Sequence, residues 1–324
     1  MTLPDVLRGR LTLPAIASPM FIVSGPDLVV AQCAAGVVGS FPALNARPAA
    51  QLGDWLTEID ERLAAAAATG ATVAPYAVNQ IVHRSNDRLE ADVAMCVEHE
   101  VPIVITSLGA RADVYDAVHS YGGIVLHDVI DDRFAHTAIE KGADGLIAVA
   151  AGAGGHAGTT SPFALVREIR RWFDGPLALS GAIAHGSSVL AAQAAGADLA
   201  YIGSAFLATT EARAAEGYKQ MVVDSSASDI VYSNLFTGVH GNYLSGSIVA
   251  AGLDPADLPT SDPSAMSFGS DGGAKAWRDV WGSGQGIGVV DAVVPAAELV
   301  ARLTREYLEA KAALDAAVIT PAAV

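Results

Sequence analysis

Cysteine is nearly missing: two residues in 324, Cys33 and Cys96, far apart in the chain. Two thiols cannot build a disulfide framework, and they are expected as buried thiols in a reducing, cytoplasmic setting. Basic residues are scarce as well, 19 Lys and Arg against 35 Asp and Glu, for a net charge of −16. A nucleic-acid partner needs clustered positive charge to meet the phosphates, so that class is excluded. The acidity needs no explanation beyond solubility. No apolar run reaches the ~18 residues of a spanning helix, so the hydrophobic content belongs to a protein core and no membrane partner is expected. The opening "MTLPDVLRGRLTLPAIASPM" holds no long apolar segment, so no secretory leader is expected there. No two histidines stand at H-x-H or H-x-x-x-H spacing, so no metal is expected, and a hydrolase elbow of the form G-x-S-x-G is missing.

What is present is a rhythm. Short apolar runs alternate with longer Ala-rich amphipathic ones. Strands are predicted near 14–20, 36–40, 72–79, 102–107, 123–128, 144–150, 176–180 and 198–203. Helices are predicted near 26–35, 48–67, 87–98, 111–119, 132–141, 162–172 and 187–195. Near-continuous apolar strands are the mark of parallel strands covered on both faces. Gly36, Gly142 and Gly196 stand where helices end and are expected as left-handed caps. Eight β-strands alternating with helices in about 210 residues predict an α/β fold, a (β/α)8 TIM barrel. The competing doubly wound sheet would carry G-x-G-x-x-G after its first strand, and "SPMFIVSGP" does not. Residues 1–210 are read as the barrel, 211–295 as a helical and irregular cap that covers the site, and 296–324 as a C-terminal helix packed on the outside. The cap includes a Gly/Pro/Asp/Ser-rich stretch at 252–273.

Barrel active sites lie where the strands end. The strand-end residues are Ser18, Pro19 and Met20; Asn79 and Gln80; Ser107; His127 and Asp128; the loop "AGAGGHAG" at 151–158; Ser180, Gly181 and Ala182; and Gly203 and Ser204. The turns "LSGAIAHGSS" and "YIGSAFLAT" set glycine and serine before helix starts. Helix N-termini bind anions, and the last two strands of such barrels commonly hold a phosphate. Either turn alone would pass for an ordinary tight turn; the pair points to a phosphate-bearing ligand. Pro19, Met20 and Asn79 offer a floor for a flat ring. His156 sits among glycines that let it approach a ring and a small substrate, and an imidazole with a pKa near 6.5 suits proton exchange at neutral pH. The alternative is that His156 only closes a strand. His127 and Asp128 are expected on opposite faces of their strand.

These segments resemble the nitronate monooxygenases (2-nitropropane dioxygenases), a family of barrels that bind flavin mononucleotide (FMN). The likeness is carried by "AGAGGHAG", "LSGAIAHG" at 179–186, "DLAYIGSAFLAT" at 198–209, "PAIASPM", "LFTGVHGNYL" at 235–244 and "WGSGQGIG" at 281–288. The resemblance implies FMN as cofactor, with its phosphate on Gly181, Ala182, Gly203 and Ser204 beside Ser180. It sets the flavin ring against Ser18, Pro19 and Met20, with Asn79 at its polar edge and Gly154 and Gly155 close by. His156 becomes the catalytic base, and His240, Tyr243, Asp128 and Gln285 become candidate substrate contacts. The implied reaction is oxidation of a small nitronate or nitroalkane by O2. Several relatives carry lysine beside a histidine at the end of the fifth strand, where this chain has Asp128, a change that disfavours an anionic substrate. Two other functions fit the same residues: an NAD(P)H-dependent flavin reductase of enoyl thioesters or quinones, and a non-catalytic barrel that binds a phosphate ligand. A homodimer is compatible with the sequence.

Overall fold

The computed structural model describes residues 3–261 and 279–317. Eight parallel strands form one sheet: β1 (Ala15–Ala17), β2 (Gly39–Pro42), β3 (Tyr76–Ile81), β4 (Ile103–Ser107), β5 (Ile124–Val129), β6 (Gly145–Val149), β8 (Leu177–Ser180) and β9 (Leu199–Ile202). Neighbours run β1-β9-β8-β6-β5-β4-β3-β2. A parallel bridge from Ile16 to Val38 closes the ring. Its hydrogen bonds run from Ala17 N–H to Val38 O (2.7 Å) and from Val38 N–H to Ala15 O (3.1 Å). An open doubly wound sheet would leave β1 and β2 as edges; here they join, and the fold is a (β/α)8 barrel.

Seven helices follow their strands as the sequence predicts: α1 (Pro26–Ala34), α2 (Gln51–Ala68), α3 (Leu89–Glu98), α4 (Ala112–His119), α5 (Asp132–Glu140), α6 (Pro162–Ile169) and α7 (Gly186–Ala195). The helix ends at Gly36, Gly142 and Gly196 have φ of +90°, +104° and +116°, where a Cβ is disfavoured. Two strands are shorter than predicted. The run 72–79 pairs only from Tyr76, since Pro75 has no N–H to give the ladder. The run 14–20 stops at Ala17, because the chain then turns into a loop clamped by Asn45. That side chain donates to Met20 O (2.9 Å) and Ser24 O (2.8 Å) and accepts from Ile22 N–H (2.8 Å).

After β9 the rhythm breaks. The next helix, α8 (Ser204–Leu207), is one turn long, and α9 (Glu216–Asp224) begins only after an irregular stretch. The helix that fills the eighth position of the barrel is the last one, α11 (Ala296–Ala316), which packs against both α7 and α1. It buries Ala296, Leu299, Val300 and Leu303, one face at helical spacing. Tyr307 Oη donates to Gln193 Oε1 (2.6 Å), and Glu306 accepts from Gly186 N–H (2.8 Å). Residues 208–295 are therefore an excursion between the eighth strand and the eighth helix. It is not only helical and irregular, as expected: its strands β10 (Ile230–Ser233) and β11 (Gly241–Leu244) form an antiparallel sheet with β7 (Gly155–His156), which comes from the loop between β6 and α6. A short helix, α10 (Ser245–Ala250), follows β11. Part of the stretch read at 252–273 lies outside the described residues.

Strand alternation divides the barrel's apolar residues. Ile16, Val38, Ala77, Ile105, Leu126, Ile147, Ala178 and Leu199 form one buried cluster, the barrel interior, which Leu7 joins from the N-terminal segment. Val78, Val104, Val125, Leu146, Leu177 and Ala200 belong to the layer under the helices. No described helix is long and apolar enough to cross a membrane.

Candidate active site

Two residues beyond the inward apolar positions of five strands, the barrel interior turns polar. The period of two carries Ile16, Ala77, Ile105, Leu126 and Ala178 on to Ser18, Asn79, Ser107, Asp128 and Ser180. Three of these are joined. Asn79 Nδ2 donates to Ile105 O (3.2 Å) and to Ser107 Oγ (2.8 Å), and Ser107 Oγ donates to Asp128 Oδ2 (2.5 Å). Both amide hydrogens of Asn79 are thus spent, and its Oδ1 is the atom available to accept from a ligand N–H. Burial raises the Asp128 carboxyl to about 6, against the pull of the Ser107 bond. Tyr201, also inward, sits beside Asp128 and Ser18; burial and that carboxylate push its phenol far up, so it stays neutral. His127 faces the helices instead. Its Nδ1 meets Thr106 Oγ1 (2.7 Å) and Tyr115 Oη (3.1 Å), and burial lowers its pKa to about 4, with Lys141 adding to the shift.

Four backbone segments meet on the other side of the mouth. Gly152 O accepts from Ala182 N–H (3.2 Å) and from Gln285 N–H (2.9 Å), and Gly284 N–H donates to Ser204 Oγ (2.7 Å). A Cβ on Gly154 would stand 2.8 Å from Gly284 N and 3.1 Å from Ser204 Oγ. A Cβ on Gly286 would stand 2.8 Å from the Ala182 carbonyl. Gly181, at φ +148°, would set a Cβ 2.8 Å from Ala151 O. Only glycines allow backbones this close. Ser283, buried beside this knot, has a hydroxyl without a hydrogen-bond partner among the described residues. The knot lies at the strand ends where the sequence reading sets a phosphate, but its parts differ from that reading in two ways. Ala182 gives its N–H to Gly152, so it does not offer that amide to a ligand. Helix dipoles are also not the source. The first N–H groups of α7 are taken by Glu306 and by His185 Nδ1 (3.1 Å from Ser187 N), and α8 is a single turn. Gly181, Gly203 and Ser204 remain as the cradle's candidates.

His156 lies in β7, the second residue of a two-residue strand. Gly155, at φ +68°, turns the chain, and β7 then pairs with β11 through Gly155↔Asn242 and His156↔Gly241. Asn242 Nδ2 donates to Ala153 O (2.6 Å), and Ser283 N–H donates to Asn242 O (3.1 Å). One cap strand thus holds both the histidine loop and the glycine knot. His156 Nε2 is 2.8 Å from Thr237 Oγ1, which itself donates to Val239 O (3.0 Å). Desolvation lowers the imidazole to about 4, well below the 6.5 expected from the sequence, so it is neutral at pH 7.

Pro19 and Met20 are half-buried in the β1–α1 loop. The proposed substrate contacts separate. Asp128 faces the mouth. His240 does not join it as expected: its exposed ring stacks on Tyr232 (5.0 Å between centroids), and only its carbonyl meets the loop, accepting from Ala157 N–H (3.3 Å). Tyr243 is wholly buried against Phe236 in the cap core, beside the Thr237 side chain, and lines no open surface. Gln285 is exposed at the glycine knot, tied there by its backbone N–H. Thr237, Asn242 and Asn45 were not singled out from the sequence. They act from loops far along the chain, and no spacing links them to what they hold.

The family model for nitronate monooxygenase matches residues 9–306. A nitronate monooxygenase of Paraburkholderia phytofirmans is 29% identical over 90% of this chain and 92% of its own. The nitroalkane oxidase of Streptomyces ansochromogenes shares the fold at a TM-score of 0.79, with 24% identity over 95% of this chain and all of the other. FabK from Thermotoga maritima does so at 0.77, with 23% identity over 97% and 99%. A closed barrel with a histidine-bearing glycine loop at its mouth, matched over almost its whole length, makes this chain an oxidoreductase of the nitronate monooxygenase family.

Proposed function

We propose that the chain binds FMN across the barrel mouth and uses it, with O2, to oxidise a small carbon acid of the nitroalkane or nitronate class. His156 is the base. The observation that carries this reading is the meeting of three features at one end of the barrel: the polar ring at Asn79, Ser107 and Asp128, the glycine knot, and His156. Gly181, Gly203 and Ser204 hold the phosphate, with Gly154 allowing close approach of the backbone. Met20, Pro19 and Ser18 pack at the ring, and Asn79 Oδ1 accepts from it. Bound there, the cofactor supplies electron acceptance and reaction with oxygen. Neutral His156 takes the proton from the carbon next to the electron-withdrawing group, and the pair stays on carbon. The cap sheet covers the mouth and excludes water. Asp128 leaves the inner wall without the positive charge that would favour an anion, so a neutral nitroalkane is the better substrate. The test is anaerobic reduction of the purified yellow protein. A nitroalkane should bleach it and NADH or NADPH should not. Bleaching by NADH or NADPH alone would make the chain a reductase, and a protein that takes up no flavin would make it a binding barrel.

A further inference from the structure

We propose that Asp128 is the specificity-determining residue of the mouth: it admits neutral carbon acids whether or not it is ionised, and turns their planar anions away once it has lost its proton. The inference deepens the proposed function and rests on Asp128 lining the substrate's space. Geometry fixes where the charge stands. Asn79 Nδ2 donates to both Ile105 O and Ser107 Oγ, so the Ser107 oxygen is occupied as an acceptor and its one hydrogen goes to Asp128 Oδ2. Oδ2 is thus held as an acceptor, and the proton comes and goes at Oδ1. No described residue bonds Oδ1. Asn79 and Ser107 are buried but Asp128 is partly open, so Oδ1 is the end of the chain that a ligand in the mouth meets.

The carboxyl is shifted by burial and by Ser107, and by no neighbouring cation. The groups around it leave it as the one that titrates here. Beside it, β4 supplies Ser107, and β6 supplies the apolar Ile147 at the paired position. Tyr201 of β9 and Tyr115 of α4 stay neutral phenols, pushed up by burial and then by the Asp128 carboxylate itself. His127 turns to the helices, and it and His156 are both neutral above about 4. With Asp128 raised to about 6, the inner wall carries no charge below that pH and an unpaired negative one above it. In a desolvated wall such a charge repels a nearby anion far more than it would in water, and leaves a neutral nitro group almost unaffected. The protonated Oδ1–H also donates to an anion's oxygen, a charge-assisted bond that ionisation removes.

The test is calorimetric titration of the purified yellow protein from pH 5 to pH 8 with two probes that cannot react. Nitrate is planar and fully ionised over that range, and 2-methyl-2-nitropropane is a neutral nitro compound without an acidic C–H. In wild type the dissociation constant of nitrate should rise about tenfold to a hundredfold across the range, and that of the neutral probe should change by less than about twofold. In Asp128→Asn, which keeps the acceptor for Ser107, nitrate should bind equally at both ends of the range. A flat nitrate constant in wild type, an equal rise in Asp128→Asn, or no nitrate binding at pH 5 would overturn the assignment. If the asparagine variant folds poorly, the two probes on wild type decide alone. The reading of the reaction fails separately, when a nitroalkane leaves the anaerobic protein yellow, and the nitrate profile stands whichever way that falls.

Discussion

Asp128 and His156 face one mouth, and burial moves them in opposite senses. Asp128 is raised to about 6, so the fold favours its protonated form. The native state then binds more protons than the unfolded chain from about pH 4 upward, and stability falls as pH rises through 6. His156 is lowered to about 4, so the fold favours the neutral ring, and stability falls as pH drops from 6.5 toward 4. Asp128→Asn keeps the acceptor for Ser107 and removes the ionisation. Between pH 5 and pH 8 the Asp128 contribution is a loss of about 1 to 2 kcal/mol, set against the gain from the lowered histidines, so in urea unfolding the variant should gain about that much more stability over the range than wild type. An equal change in both would assign the pH dependence elsewhere. In kcat/KM, a limb near pH 6 belongs to Asp128 and should vanish in the same variant, leaving the acid limb of His156 lower on the scale. Asp128 was legible as a departure from the lysine of its relatives. Its partners were not, because the Asn79–Ser107–Asp128 chain joins three strands, and only the pairing register of β3, β4 and β5 brings them together.

At the scale of elements, the strands could be read because both their faces are buried. An apolar run such as "PIVITS" has no other use in a chain with few charges. The cap sheet could not be read, since β7 is two residues inside a glycine loop and has no period of its own. Its pairing is imposed by β11, more than eighty residues later. The two turns expected to hold a phosphate were read by composition; the structure shows closely packed glycine backbones there, with the first N–H groups of α7 already taken. Gly203 is the clean place to test the cradle. Its φ of −109° is open to any residue, and a Cβ there would meet only the Ser18 side chain, Oγ at 3.1 Å and Cβ at 3.6 Å. Gly203→Asp should fold, with an unchanged circular dichroism spectrum, and should come through gel filtration colourless, because a carboxylate repels the phosphate. Full yellow colour would remove Gly203 from the site. Gly155 is a poorer probe, since its positive φ would confound lost approach with backbone strain.

For the whole molecule, the sequence rhythm counted eight strands correctly but left the barrel one helix short. The missing helix is the last segment of the chain, returned to its place between α7 and α1 after an excursion of almost ninety residues. That topology lets an insertion at the mouth be both cap and support. β11 ties the histidine loop to the glycine knot, and α11 closes the wall behind it. The central claim is that His156 removes a proton at this covered mouth while other residues hold the cofactor. His156→Ala, loaded with flavin, measures it most directly when its turnover of a neutral nitroalkane is set beside its turnover of the preformed nitronate. Flavin content should match wild type. The rate on the neutral acid should fall by roughly 10² to 10⁴, and the rate on the anion by less than about threefold. An equal loss on both substrates, or no loss on either, would contradict the role of His156 as the base.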